Sequence, residues 1–306
     1  MKKKTIVTIS LLALILVSAV YIFFLRPKAG ISTMRTFSVY TENGDTSSRV
    51  LNADQQYIFS FKEHYDDFFK NIIASNKEYA FINIIDGIVT DIEIDGKTSS
   101  LHYIKNNQNH NFKFYKIDDN GLHLGLFLIV RDPNKIKLAE RIQITGIDCK
   151  RHNINTGSNS IIKNDESEYL DMEKYLIDEF DFDFVVTPGE IKKSGVTIPY
   201  YVNRDSSNQI KFNILVSNKY NNKGDYMIIA LKNYEQIKIN NQNRILVSLN
   251  PHEQAVFPVI VDANKEDINK TIFFVIIPNP YILQDAKSLS NEIENEVYIS
   301  QRMFIQ

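Results

Sequence analysis

The chain has 306 residues, 43% of them hydrophobic, enough for packed cores in about two domains and too much for a wholly disordered chain. Beyond residue 33 it carries 30 Lys/Arg against 37 Asp/Glu, a net charge near −7 that disfavours nonspecific binding to nucleic acid or anionic membrane. Cys149 is the only cysteine, so no intramolecular disulfide is possible, and each core must be held by packing.

Thr5 to Leu25 is an uncharged run of 21 residues. As a helix it would reach about 31 Å, close to the hydrocarbon thickness of a bilayer. Lys2, Lys3 and Lys4 precede it, which favours a cytoplasmic N-terminus. Val17-Ser18-Ala19 resembles a signal-cleavage site, yet the apolar run continues to Leu25, past the about 7–15 residues of a signal peptide. Residues 1–30 are therefore expected to form a cytoplasmic stub, transmembrane anchor and juxtamembrane segment. Everything after them is expected outside the cell membrane; secretion after cleavage is the alternative.

Residues 31–150 read as a first β-sandwich. Apolar and polar residues alternate in Tyr57-Ile58-Phe59-Ser60-Phe61, in Ile88 to Ile94 and in Phe112-Lys113-Phe114, with turns at Asp95-Gly96 and Asp119-Asn120-Gly121. Within this module His64 to Ala74 sets Tyr65, Phe68, Phe69, Ile72 and Ile73 on one stripe, which predicts an inserted helix. Residues 151–180 read as a polar linker (from Lys150 to Asn164) and an acidic helix over 165–180, where Asp165 and Glu168 approximate a capping box. Residues 181–306 read as a second sandwich, with alternation in Ile210–Ile214, Gln236–Ile239 and Val256–Val259; Pro258 places its strand at an edge or bulge. Gln284 to Glu296 is a short helical pattern, and Val297 to Ile305 is expected to return as the last strand.

The second module repeats the first. Glu78–Ile82 matches Asp225–Ile229, and Leu126–Pro133 matches Phe273–Pro280, both at an offset of 147. Ile92–Asp95 matches Ile237–Asn240 at 145, so a two-residue deletion is later restored. Ordered matches with small gaps indicate duplication of one folding unit.

Chemistry is sparse. There is no Gly-x-Ser-x-Gly elbow, no Gly-rich phosphate loop, no His-Glu-x-x-His and no Cys-x-x-Cys. His102, His110 and His123 share one hairpin region, but a metal site needs imidazoles converging within about 2 Å of one ion. Asp178, Glu179, Asp181 and Asp183 cluster, yet the Phe180 to Phe184 alternation sets Asp181 and Asp183 on the solvated face of a strand. Tyr200-Tyr201 should send one ring inward and one outward. Cys149 reads as a small buried or inert residue, with an intermolecular bridge as the alternative. No residue is assigned to catalysis, cofactor or metal, and no cofactor is expected.

The segment from Phe212–Ser217 through the turn at Asn218, into Asp225–Leu231 and on to Pro251-His252-Glu253 and Val256–Val259, resembles bacterial immunoglobulin-like accessory modules. The likeness spans 185–281 and more faintly 34–148, where the Pro-x-Glu turn is missing. It implies an all-β fold of two tandem Ig-like sandwiches behind the anchor, and a habit of binding or spacing rather than a reaction. The expected function is a membrane-anchored extracytoplasmic binding or scaffolding protein of a bacterial envelope. Its expected partner is an envelope or membrane protein, with membrane contact through residues 5–25 and no nucleic acid. The alternative is an envelope-biogenesis enzyme or an accessory subunit of a membrane complex.

Overall fold

The computed structural model describes residues 34–41, 50–64, 78–105, 108–131, 133, 147–158, 160, 169–178, 181–192, 195–281 and 297–306. The expected anchor at Thr5–Leu25 and the expected helix over 284–296 lie outside these residues, as does the expected helix from His64 to Ala74 except for His64 itself, which is strand. The first half folds as β1 (Met34–Thr41), β2 (Val50–Asn52), β3 (Gln56–His64), β4 (Glu78–Ile85), β5 (Ile88–Val89) and β6 (Ile92–Ile94). It continues with β7 (Lys97–Ser99), β8 (Leu101–Lys105), β9 (Asn109–Phe114), β10 (Leu122–Arg131) and β11 (Ile147–Asn155). The second half folds as β12 (Leu176–Ile177), β13 (Phe184–Thr187), β14 (Tyr201–Val202), β15 (Gln209–Ser217), β16 (Gly224–Lys232) and β17 (Glu235–Ile237). It ends with β18 (Ile245–Leu249), β19 (Gln254–Asp262), β20 (Thr271–Pro278), β21 (Tyr298–Ile299) and β22 (Met303–Ile305).

One sheet of each half has the same order: β2-β11-β10-β4-β5 with β8 also on β4, and β14-β22-β20-β16-β17 with β18 also on β16. The other sheets are β1-β3-β9-β6-β7 and β12-β19-β15-β13. Register follows the sequence repeat residue for residue. Val130 faces Ala80 in the first half and Ile277 faces Met227 in the second, each displaced by 147. The hairpin turn Asp86-Gly87, with both φ positive, matches Asn233-Tyr234 at 147; the turn Asp95-Gly96 matches Asn240-Asn241 at 145. The two-residue deletion therefore falls between these two turns.

Alternation of side chains places three cores. In the first half Tyr79, Phe81, Phe127 and Ile129 pack with Phe59 and Phe112 between its two sheets. In the second, Tyr226, Ile228, Ala230 and Phe274 pack with Phe212 and Phe257. The intervening residues of the same strands meet each other: Ala80, Ile82, Leu126, Leu128 and Val130 pack on Met227, Ile229, Phe273, Val275 and Ile277. The inner sheets are thus buried on both faces, which is why β4, β10, β16 and β20 read as unbroken apolar runs. Full burial of one such side chain contributes about 1.5–3 kcal/mol.

Three expectations are corrected. The linker expected from Lys150 is strand through Asn155, because β11 pairs β10 as far as Asn155 opposite Leu122. The acidic helix over 165–180 is not formed over 169–178. Instead Tyr169 bridges Leu246, Leu170 N donates to Leu246 O at 2.8 Å, a single 3-10 turn spans Glu173–Tyr175, and β12 joins β19. Backbone partners on β18 and β19 outcompete local helical spacing, and Met172 and Leu170 pack into the second core instead. The strand expected from Phe180 begins only at Phe184.

Other expectations match. At Pro258 β12 no longer covers β19, whose pairing with β12 is confined to Gln254 and Ala255. The missing N–H of Pro258 therefore leaves no ladder partner unmatched on that side. The final strand returns to β20 in two pieces, β21 and β22.

Candidate functional site

The three grouped histidines do not converge; each serves a different turn. His102 Nε2 lies 2.9 Å from Ile92 O and 3.0 Å from Ser99 O. His110 Nδ1 lies 2.7 Å from Asp95 Oδ2, while Asn111 N donates to Asp95 Oδ1 at 2.9 Å. His123 Nδ1 lies 2.7 Å from Asp86 Oδ2, while Leu124 N donates to Asp86 Oδ1 at 2.9 Å. Asp86 and Asp95 sit at the first position of two-residue turns with positive φ, and each aspartate clips its hairpin tip to a neighbouring strand. The hydrogen bond to Asp86 raises the His123 pKa above its usual 6.5, and burial opposes it. Among the described residues no three His, Cys, Asp or Glu side chains gather as a metal site.

Elsewhere the polar motifs also fasten loops. Asp183 pairs with Lys219 at 2.5 Å, both half-exposed, a contact worth at most about 1 kcal/mol. Buried Asn218 donates from Nδ2 to Asn222 O, Leu249 O and Asn250 O, and Glu253 accepts from Asn250 N and Nδ2. The Asn turn and the Pro-x-Glu turn are thereby one structural clasp. Tyr200 and Tyr201 are both exposed, contrary to the expected alternation. Tyr200 precedes the two-residue strand β14, and Val202 is the residue that turns inward. Burial pushes the Cys149 thiol up to about 12, which leaves it a poor nucleophile.

The contact between halves is reciprocal. Leu124 opposite Asn153 and Thr271 opposite Phe304 fix an offset of 151 for the last strands, so Arg151 corresponds to Arg302. Arg151 donates to Pro278 O at 2.7 Å and Asn279 O at 2.5 Å. Arg302 donates to Arg131 O at 3.3 Å, and Arg131 corresponds to Pro278. Contacts of i with j and of the equivalent j with i define an isologous interface. The two copies differ at one turn: Gly87 leaves room for Met227, onto whose Sδ a Cβ would fall. Its counterpart Tyr234 instead reaches across to Pro133 O at 2.6 Å and accepts from Arg302 Nη1 at 3.0 Å.

One cavity of about 500 Å³ opens at an end of the first half, among the loops after β2, β9 and β11. Asn52, Asp54, Gln55, Lys116, Asn155 and Thr156 supply its polar lining, and Phe114 and Ile117 its apolar part. Its walls are held in place: Asn52 N donates to Tyr57 Oη at 2.6 Å, Ala53 N to Asn155 O at 2.9 Å, and Thr156 Oγ1 to Asp119 O at 2.6 Å. Lys116 adopts φ +37, a left-handed backbone that costs a non-glycine residue roughly 1–2 kcal/mol. Sequence reasoning named Asp119-Asn120-Gly121 only as a turn and did not single out these residues. Their loops are far apart in the chain and meet only through strand order.

No protein-family model matches the chain, and no curated protein matches it. Among solved structures, the C-terminal domain of the AgI/II polypeptide BspA of Streptococcus agalactiae is 6% identical with a TM-score of 0.22, over 89% of this chain and 100% of that one. The C-terminal domain of the antigen I/II-family protein AspA of Streptococcus pyogenes is 7% identical at 0.24, over 89% and 99%. The collagen adhesin CNA of S. aureus is 7% identical at 0.24, over 90% and 93%. The resemblance to bacterial Ig-like modules is one of fold alone, and at these scores it carries no argument about partner or activity.

Proposed function

We propose that this protein is a non-catalytic binding or scaffolding protein of a bacterial cell envelope, anchored through Thr5–Leu25 with Met1–Lys4 in the cytoplasm and the residues after the anchor on the outer side. In this reading two tandem Ig-like sandwiches form the outer part. The observation that carries it is the apolar core shared by the two inner sheets, closed by Arg151 and Arg302. It makes the pair one stiff body rather than two beads on a string. A stiff body suits a protein that holds a partner at fixed distance and orientation from the membrane. The N-terminal run after three lysines supports the anchor and its orientation.

Two measurements test the reading. Protease added to intact cells or spheroplasts should remove the outer part and leave the N-terminus protected. In-cell crosslinking from exposed positions on β7 and β9 should capture a defined envelope protein. An outer part that resists protease in intact cells but not after lysis defeats the proposed orientation, and capture of nothing above background defeats the scaffold.

A further inference from the structure

We infer that the cavity of the first half is a binding site for a neutral carbohydrate, an inference that rests on reading the protein as a binding module. The duplication supplies an internal comparison. Strand register makes Gln55 correspond to Asn208 and Phe114 to Ala263, since Gln56 faces Lys113 and Gln209 faces Asp262. In the second half Ala263 N donates to Asn208 O at 2.7 Å, and Ala263 is fully buried. Asp205 there folds its own loop by accepting from Ser207 N and Gln209 N. The 3-10 turn Lys265–Asp267 fills the rest, with buried Asp267 held by Lys232 at 2.6 Å and Lys270 at 2.9 Å. The loops of the second copy are thus bonded to one another at this end, whereas the cavity described lies among the loops of the first.

The lining selects the ligand class. A volume of about 500 Å³ lies within the range of about 300–1,000 Å³ for small-ligand sites. Among the described residues no hydrogen bond or ion pair engages the side chains of Asn52, Asp54 and Lys116, which line the cavity. One carboxylate and one ammonium leave the rim without net charge. A phosphate or carboxylate ligand would meet Asp54, and a cation would meet Lys116. Sugar hydroxyls both donate and accept, so they match the acceptors of Asp54 and Asn52 and the donors of Lys116 and Asn155 together. Half-buried Ile117 offers apolar contact for the C–H face of a pyranose, with the rim of buried Phe114 behind it.

The test uses the full chain in lipid nanodiscs, free of glycosidic detergent. Saturation-transfer NMR is recorded with glucose, N-acetylglucosamine, cellobiose and maltose, and with inorganic phosphate and acetate as charged probes. The expected result is transfer to at least one neutral sugar, weakened at least tenfold in the Asn52→Ala/Asp54→Ala double variant with its melting temperature unchanged. Should that variant melt early, Lys116→Met gives the same reading. Transfer to no sugar, transfer to the anions alone, or a sugar signal that survives both variants overturns the inference. The double variant should still yield the crosslinked envelope protein; loss of sugar with retention of that product separates this site from the scaffold itself.

Discussion

Arg151 and Arg302 occupy the same position in the two halves, and each donates to a carbonyl that the repeat makes equivalent, Pro278 O for one and Arg131 O for the other. A charged donor removed from a buried carbonyl typically costs about 1–3 kcal/mol. Arg151→Met and Arg302→Met should each lower stability by that order in urea unfolding. Combined, they should split the single transition in two, because the halves then lose the polar closure of their shared core. A single transition of unchanged slope in the double variant would show that the arginines do not couple the halves.

Gly125 faces His152 across β10 and β11, and a Cβ on Gly125 would fall on the imidazole ring. The second half puts Ile272 opposite Met303 at this place, so the pair is specific to the first half. Gly125→Ala should cost about 1–3 kcal/mol from overpacking. Adding His152→Ala should recover part of that loss, giving a coupling energy above about 0.5 kcal/mol in a double-mutant cycle. Simple additivity would refute the clash.

Burial raises the Asp267 carboxyl, but hydrogen bonds from Lys232 and Lys270 outweigh it and hold the group at about 2, below its ordinary 3.8. A depressed carboxylate contributes stability that is present above pH 3.8 and lost as pH falls through that value towards 2. Asp267→Asn should destabilise the protein by about 2 kcal/mol at pH 7 and flatten its acid limb between pH 4 and 2. An unchanged acid limb would remove Asp267 from the account.

His123 and His152 should tilt stability in opposite senses. The hydrogen bond to Asp86 raises His123, so its contribution is complete below pH 6.5 and disappears as pH rises through its folded pKa. Burial pushes His152 down to about 3, so its contribution is present above pH 6.5 and fades as pH falls below it. Asp86→Asn should therefore flatten the alkaline side of a stability profile, and His152→Met the acidic side. NMR titration of the two imidazoles checks the assignment directly.

Much of the architecture was legible because it rests on local pattern. Alternation at Tyr57–Phe61 and Ile210–Ile214 gave strands whose registers are equivalent, and the 147 and 145 offsets recur in the turns themselves. The shared core was not anticipated, for a physical reason. Glu78–Ile82 and Phe273–Pro280 served only as repeat anchors, although an unbroken apolar strand also reports burial on both faces. Tyr169 and Met172 kept helical spacing but were claimed by partners on β18 and the second core, information no local window contains. The histidines shared a hairpin region in sequence yet separated in space, since His110 and His123 pair with the aspartates of different turns and His102 with the carbonyls of Ile92 and Ser99. The cavity left almost no trace, because its lining comes from three loops joined only by topology.

The doubly buried inner sheets also set a timetable for biosynthesis. The last strand of the first half ends at Asn155, but its covering strands β16 and β20 end only at Lys232 and Pro278. At about 5–20 residues per second, the face formed by Leu126, Leu128 and Val130 waits on the order of ten seconds for its cover. During that interval a nascent chain presents a flat, apolar sheet, the surface on which holdase chaperones act and misassembly begins. Contacts separated by almost half the chain also make the closing step slow. Production at low synthesis rates or with chaperones in excess should therefore raise the soluble yield of the whole chain more than that of proteins built from independent β-modules.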